Sequence, residues 1–197
     1  MIGTKNNWES VTHLNTKNFK CGFQDCGREI GSEKGWQHHK DGGPFADALI
    51  YICPNCKRPN FFDLTDNTQI PGACLGNNIK HLPKDIEKLW QEILKATAQS
   101  AYTCAVLTGR KLLMHISVEQ NAAENLSFLE YVNFLVDNHF APPNSKVWVD
   151  KIRTLGNEAN HEIKIMSKDE ASDIITFLEM LLKFIYEFPG HKQVETK

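Results

Sequence analysis

Four cysteines in two close pairs are the residues of this chain best suited to hold an ion. Cys21 and Cys26 stand in CGFQDCG, and Cys53 and Cys56 stand in YICPNCKRPN. The second pair is a Cys-x-x-Cys knuckle whose Pro54 and Asn55 favour a tight turn, which points both sulfurs and the following amides toward one point. The first pair is wider, is followed by Gly27, and still falls within zinc-knuckle spacing. Four thiolates from two turns satisfy tetrahedral zinc and leave no open position, so such an ion is structural rather than catalytic. Two alternatives stay open. Cys53 and Cys56 could be a redox pair, although strand-like sequence rather than a βαβ unit flanks them. His38 or His39, in the loop GWQHHKDGGP, could replace a cysteine as ligand. Cys74 has no partner at knuckle spacing, and Cys104 reads as a small core residue on an apolar helical face.

A second set lies in IRTLGNEANH. Arg153, Asn157 and His161 recur every fourth residue, so on a helix they span about 80° of the circumference. Trp148, Ile152, Leu155 and Ala159 fall nearly opposite, which turns the polar row away from an apolar core, toward solvent, a partner subunit or a ligand. A guanidinium beside an imidazole suits phosphodiester chemistry without a metal. The Arg holds a phosphate and stabilises developing charge, and the His moves a proton to or from an RNA 2′-hydroxyl or a leaving oxygen. A two-fold dimer placing two such rows face to face would build one cleft. The structural alternative is that Asn157 and His161 cap or bridge helices and that Arg153 pairs with Asp150 or Glu158. Gly156 marks a kink or a close backbone approach. Arg110 and Lys111 form a small basic spot that could add phosphate binding if it neighbours the row. The chain has no Gly-x-Ser-x-Gly, no phosphate-binding glycine loop and no His-Glu-x-x-His.

The elements that must position these residues divide in two. ALIYI before Cys53 and NFFDL after Cys56 read as a hairpin around the second knuckle. From Pro83 the apolar period changes from two to about 3.6. Pro83 opens a helix with Ile86, Leu89, Trp90, Ile93, Leu94 and Thr97 on one face. A second helix carries Tyr102, Ala105, Val106, Leu112, Leu113 and Ile116, and a third carries Leu126, Phe128, Leu129, Val132, Leu135 and Val136. A fourth starts near Pro143-Asn144-Ser145 and holds the polar row. The last opens on the capping box Ser167-x-x-Glu170 and runs through Ile174, Phe177, Leu178, Leu181, Phe184, Ile185 and Phe188, until Pro189-Gly190 stops it. The expected fold is therefore mainly α: a bundle of about five helices at 83–190, after a small β zinc-ribbon module at 1–70 and a linker at 71–82, with a tail at 191–197.

Composition sets outer bounds. The 197 residues carry 22 Lys+Arg against 24 Asp+Glu, a net charge of −2, so no overall basic field argues for nucleic acid, although a local patch can. The most apolar stretch, 174–188, is interrupted by Glu179, Lys183 and Glu187 and does not read as a membrane span. Met1–Ser10 shows no apolar signal region, so the expected location is the cytoplasm, where thiols stay reduced and clustered cysteines bind metal.

LPKDIEKLWQEILKATAQSAYTCAVLTGRKLL, then KIRTLGNEANHE, then DIITFLEMLLKFIYEFP resembles the domain-of-unknown-function family 4145. There a proline-led helix, a helix ending in an Arg-rich turn and an Arg-x-x-Gly-Asn-x-x-x-His helix recur, often after a zinc-ribbon-like region. The likeness covers about 70–190, and its signature here is Gly156-Asn157-Glu158-Ala159-Asn160-His161. That family looks related to the HEPN helical domains of prokaryotic defence and toxin–antitoxin systems, many of them metal-independent ribonucleases with an Arg, a polar residue and a His. The resemblance implies His161 in the His position and Asn157 in the polar position. Gly156 stands where the pattern places its Arg, and Arg153 lies one turn earlier. It further implies a dimeric chain that binds RNA or another nucleic acid. The alternative is a non-catalytic dimeric adaptor whose zinc ribbon docks a partner protein.

Overall fold

Short strands rich in aromatic residues begin the chain. The computed structural model describes residues 8–11, 13–141, 149–154 and 165–192, and it divides into two compact units, Met1–Cys74 and Leu75–Lys197. In the first unit β5 (Ala48–Ile52) and β6 (Pro59–Asp63) form the expected antiparallel hairpin, with Tyr51 opposite Asn60. Sequence reasoning missed what surrounds it. β1 (Trp8–Val11), β4 (Gly35–His38) and β7 (Thr68–Ile70) complete a five-stranded antiparallel sheet in the order β1-β4-β5-β6-β7. β2 (Lys17–Lys20) and β3 (Glu29–Ser32) pair as a separate hairpin.

Leu14, Tyr51 and Phe62 are buried together, with Phe19 and Leu49 packed against them. The Phe19, Tyr51 and Phe62 rings meet at centroid distances of 5.0–6.1 Å, Phe62 edge-on to both others, the arrangement that ring quadrupoles favour. Close β4–β5 packing depends on Gly35, where a Cβ would lie 1.7 Å from the Ile50 carbonyl oxygen.

The second unit is helical. α1 (Lys84–Ala98) starts after Pro83 and buries Ile86, Trp90, Ile93, Leu94 and Thr97, as its periodicity predicts. α2 (Tyr102–Glu119) and α3 (Phe128–Asp137) follow, the latter opened by a Ser127–Glu130 capping box. α4 covers 149–154 and buries Val149 and Ile152. α5 (Lys168–Leu182) opens on the predicted Ser167–Glu170 box and buries Ile174, Phe177, Leu178 and Leu181. The stretch before α1 is tied to the helices: the Trp90 indole donates to the Asn77 carbonyl at 3.0 Å, and Glu179 accepts from both the backbone and the side-chain nitrogen of Asn77.

The fold is mixed, helices following a β module as expected, although the β part is a five-stranded sheet and a separate two-stranded one rather than one hairpin. Three expectations about single elements need correction. Cys104 is exposed, not a core residue, and Leu129 faces outward while Tyr131 takes the buried place on α3. The last helix neither keeps its phase nor stops at Pro189. A π-helical turn (Lys183–Glu187) is inserted after α5 and is followed by α6 (Phe188–Lys192). The wider turn rotates the apolar stripe, leaving Phe184 and Phe188 exposed. Trp148, Leu155 and Ala159, assigned to the fourth helix, lie outside the described residues.

Candidate functional site

The two cysteine pairs are built on the same backbone device. In each, the first cysteine's N–H donates to the carbonyl two residues past the second cysteine: Cys21 to Arg28 at 2.9 Å and Cys53 to Arg58 at 3.0 Å. In each, the residue directly after the second cysteine is left-handed, Gly27 at φ 52° and Lys57 at φ 62°. The unequal spacing of the pairs hides this likeness from the sequence. It turns four sulfurs inward: those of Cys21, Cys26, Cys53 and Cys56 all lie within 4.8 Å of one another and can hold a metal ion. Cys21 and Cys56 stand 3.7 Å apart, as do Cys26 and Cys53.

Neighbouring groups orient and polarise the sulfurs. The Cys56 amide donates to the Cys53 sulfur and the Asn55 side chain to the Cys26 sulfur. Burial pushes the Cys21 thiol up to about 12. At Cys56 burial opposes ionisation, but the Arg58 amide and guanidinium and the neighbouring thiols bring it down to about 6. Four thiolates this close repel one another, so full ionisation calls for a cation among them. Arg58 is held in place, lying over the Phe23 ring at 4.1 Å and paired with Asp25 at 2.5 Å.

Sequence reasoning missed Asn60. It is fully buried; its amide nitrogen donates to the Cys21 sulfur at 3.7 Å, and its side-chain oxygen accepts the Gly22 N–H at 2.9 Å. The available signal was a polar residue directly before the aromatic pair Phe61-Phe62 of NFFDL. The histidines are elsewhere: His38 bonds Asp47 at 2.7 Å and His39 bonds the Gly43 carbonyl at 2.9 Å, and neither joins the sulfur cluster among the described residues.

Of the predicted polar row, only Arg153 is described; Asn157 and His161 lie outside the described residues, as does Gly156. Arg153 does not point freely to solvent. Its guanidinium pairs with Asp150 at 2.6 Å and donates to the Asn133 side chain on α3. This is the carboxylate partner that the structural alternative assigned to it.

The observed frame is a cysteine-clustered antiparallel β unit followed by a helical unit. No described helix is long and apolar enough to cross a membrane. The chain belongs to the family described as a domain of unknown function (DUF4145), whose model matches residues 91–197. No curated protein and no solved structure matches it.

Proposed function

We propose that the first unit is a zinc ribbon and that the chain is a HEPN-like protein of a prokaryotic defence or stress system that binds RNA. The observation that carries the zinc-ribbon part of this reading is the four-sulfur cage, and the HEPN-like, RNA-binding part rests on membership of the DUF4145 family over residues 91–197. A regular tetrahedron with zinc–sulfur bonds of about 2.3 Å has edges of about 3.8 Å, beside the 3.7 Å separations of Cys21–Cys56 and Cys26–Cys53. Four sulfurs complete the coordination, so the ion stabilises the fold and takes no part in a reaction. Beside the cage Arg28 and Lys57 are exposed, with Asp25 and Glu29 exposed alongside them, so cationic side chains that suit phosphate oxygens are present there on a chain of net charge −2. The catalytic form of the reading is metal-independent RNA cleavage with Arg153, Asn157 and His161.

A second reading, a non-catalytic dimeric adaptor that docks a partner protein through the ribbon, is favoured by the Arg153–Asp150 pair, which already neutralises the guanidinium.

Two measurements test the proposal. Metal analysis of the purified chain is expected to give one zinc per chain, with Cys53 and Cys56 unreactive toward thiol reagents until the metal is chelated; metal-free chain with two reactive thiols there would make it a redox pair instead. Incubation with total RNA beside His161→Ala and Arg153→Ala separates the functions. Cleavage lost in both variants supports the enzyme, binding without cleavage supports a non-catalytic RNA binder, and absence of binding leaves the adaptor.

A further inference from the structure

Among the described residues of the helical unit, Arg110 is a cation with no carboxylate to neutralise it. Arg110, on α2, lies over the ring of Phe128, the first residue of α3, with its guanidinium carbon 4.2 Å from the centroid. Its Nη1 is buried without a hydrogen-bond partner. Among the described residues Arg110 has no acidic partner. Burial alone holds its pKa below the ordinary arginine value, with no opposing carboxylate. Arg110 is half-buried, and taking part of a charged group out of water without a partner is costly, which calls for an explanation.

The contrast with Arg153 is informative. Both guanidinium groups contact α3, Arg110 at Phe128 and Arg153 at Asn133, positions about 7.5 Å apart along a helix axis. Both have a buried nitrogen without a partner. Arg153, however, has Asp150 to balance its charge, whereas the only described partner of Arg110 is an aromatic face. Stacking on a ring fixes a guanidinium without using its N–H groups; with Nη1 buried, the Nε and Nη2 edge of Arg110 is the one open to a planar, two-pronged grip on oxygens.

We propose that Arg110 is a phosphate-binding residue, held over Phe128 so that it receives a phosphodiester oxygen of an RNA strand. The choice of an RNA phosphate as occupant rests on the RNA-binding reading above; the anion site itself rests on the unneutralised guanidinium.

The test compares wild type with Arg110→Met, which keeps the packed stem without the charge, and Arg110→Lys, which keeps the charge without the fork. Two probes are used: a short single-stranded RNA titrated at several salt concentrations, and inorganic phosphate in melting experiments at matched ionic strength. Arg110→Met is expected to fold, because it removes an unpaired charge and leaves the stem; its melting curve without phosphate checks this. RNA affinity should fall about tenfold in Arg110→Met, and the slope of log affinity against log salt should shrink by about 0.7, the value of one phosphate contact on a single strand. Arg110→Lys should recover the slope but not the full affinity. Phosphate should raise the melting temperature of wild type and not of Arg110→Met. If RNA binds with the same affinity and slope in both, this proposal is overturned and the RNA reading stands. If wild type binds no RNA but phosphate stabilises it through Arg110, the anion site stands and the RNA reading fails. If neither probe responds to Arg110, the anion site is overturned.

Discussion

The buried Asn60 amide donates to the sulfur of Cys21, 39 positions earlier in the chain, at 3.7 Å. The same side chain accepts the Gly22 N–H, so β6, which leaves the second knuckle, also grips the first. The four-sulfur cluster is therefore tied together by an amide, and groups that orient metal ligands in this way affect metal affinity strongly. Asn60→Ala is expected to weaken zinc binding about 10- to 100-fold, measured by competition with a chromophoric chelator. Asn60→Asp, which sets a negative charge against a thiolate, should be weaker still. Unchanged affinity in both would show that Asn60 only fills space.

Loss of a cage sulfur should be felt in one unit. Folding of small metal modules is coupled to the ion, so Cys53→Ser is expected to open residues up to Cys74 to protease while the helical unit keeps its melting transition. Limited proteolysis read by mass spectrometry, beside circular dichroism of the helices, checks this. Simultaneous loss of both units would contradict it.

Gly35→Ala should cripple the sheet. The added methyl meets the Ile50 backbone oxygen at 1.7 Å, and backbone on the partner strand cannot swing aside as a side chain does. A loss of more than about 3 kcal/mol is expected, read as a fall in the denaturation midpoint of the first unit. Gly42→Ala, in open space though at φ 71°, should cost much less and serves as control.

The helical unit should weaken in acid through Glu179. Burial opposes its ionisation, but the Asn77 side chain and Lys183 outweigh burial and hold the carboxyl below its ordinary 4.5. A depressed carboxyl pKa adds stability above the unfolded value, and that stability is lost as pH falls through the folded value. The melting temperature should therefore drop as pH falls below about 4.5. Glu179→Gln should be less stable near neutrality and show a shallower decline. Parallel slopes for the two proteins would assign the acid sensitivity to other carboxylates.

The features legible in the sequence were those with a local signature. The Cys53–Cys56 turn between two apolar strands, the Pro83 helix start and the Ser167–Glu170 box each declare themselves within a few residues, and each is where its pattern puts it. Ser127–Glu130 has the same signature and was overlooked beside the apolar run that follows. β1, β4 and β7 were not legible because WESV, GWQH and TQI are too short and polar to show a period; their pairing partners, distant in sequence, make them strands. The phase of the last helix failed for a different reason. Nothing in KFIYE announces a π turn, and one extra residue is enough to carry Phe184 and Phe188 out of the core.

The chain between Cys21 and Cys56 begins and ends at sulfurs 3.7 Å apart, and the β4–β5 connection, residues 39–47, lies within it. With the proposed zinc clasping both ends, the ring stays shut whatever its circumference, and enlarging a flexible connection is cheap: each doubling of its length costs only about 0.6 kcal/mol. This connection is consequently the place where the module tolerates grafted sequence, by evolution or by an engineer seeking a new recognition loop, with the clasp left as it is.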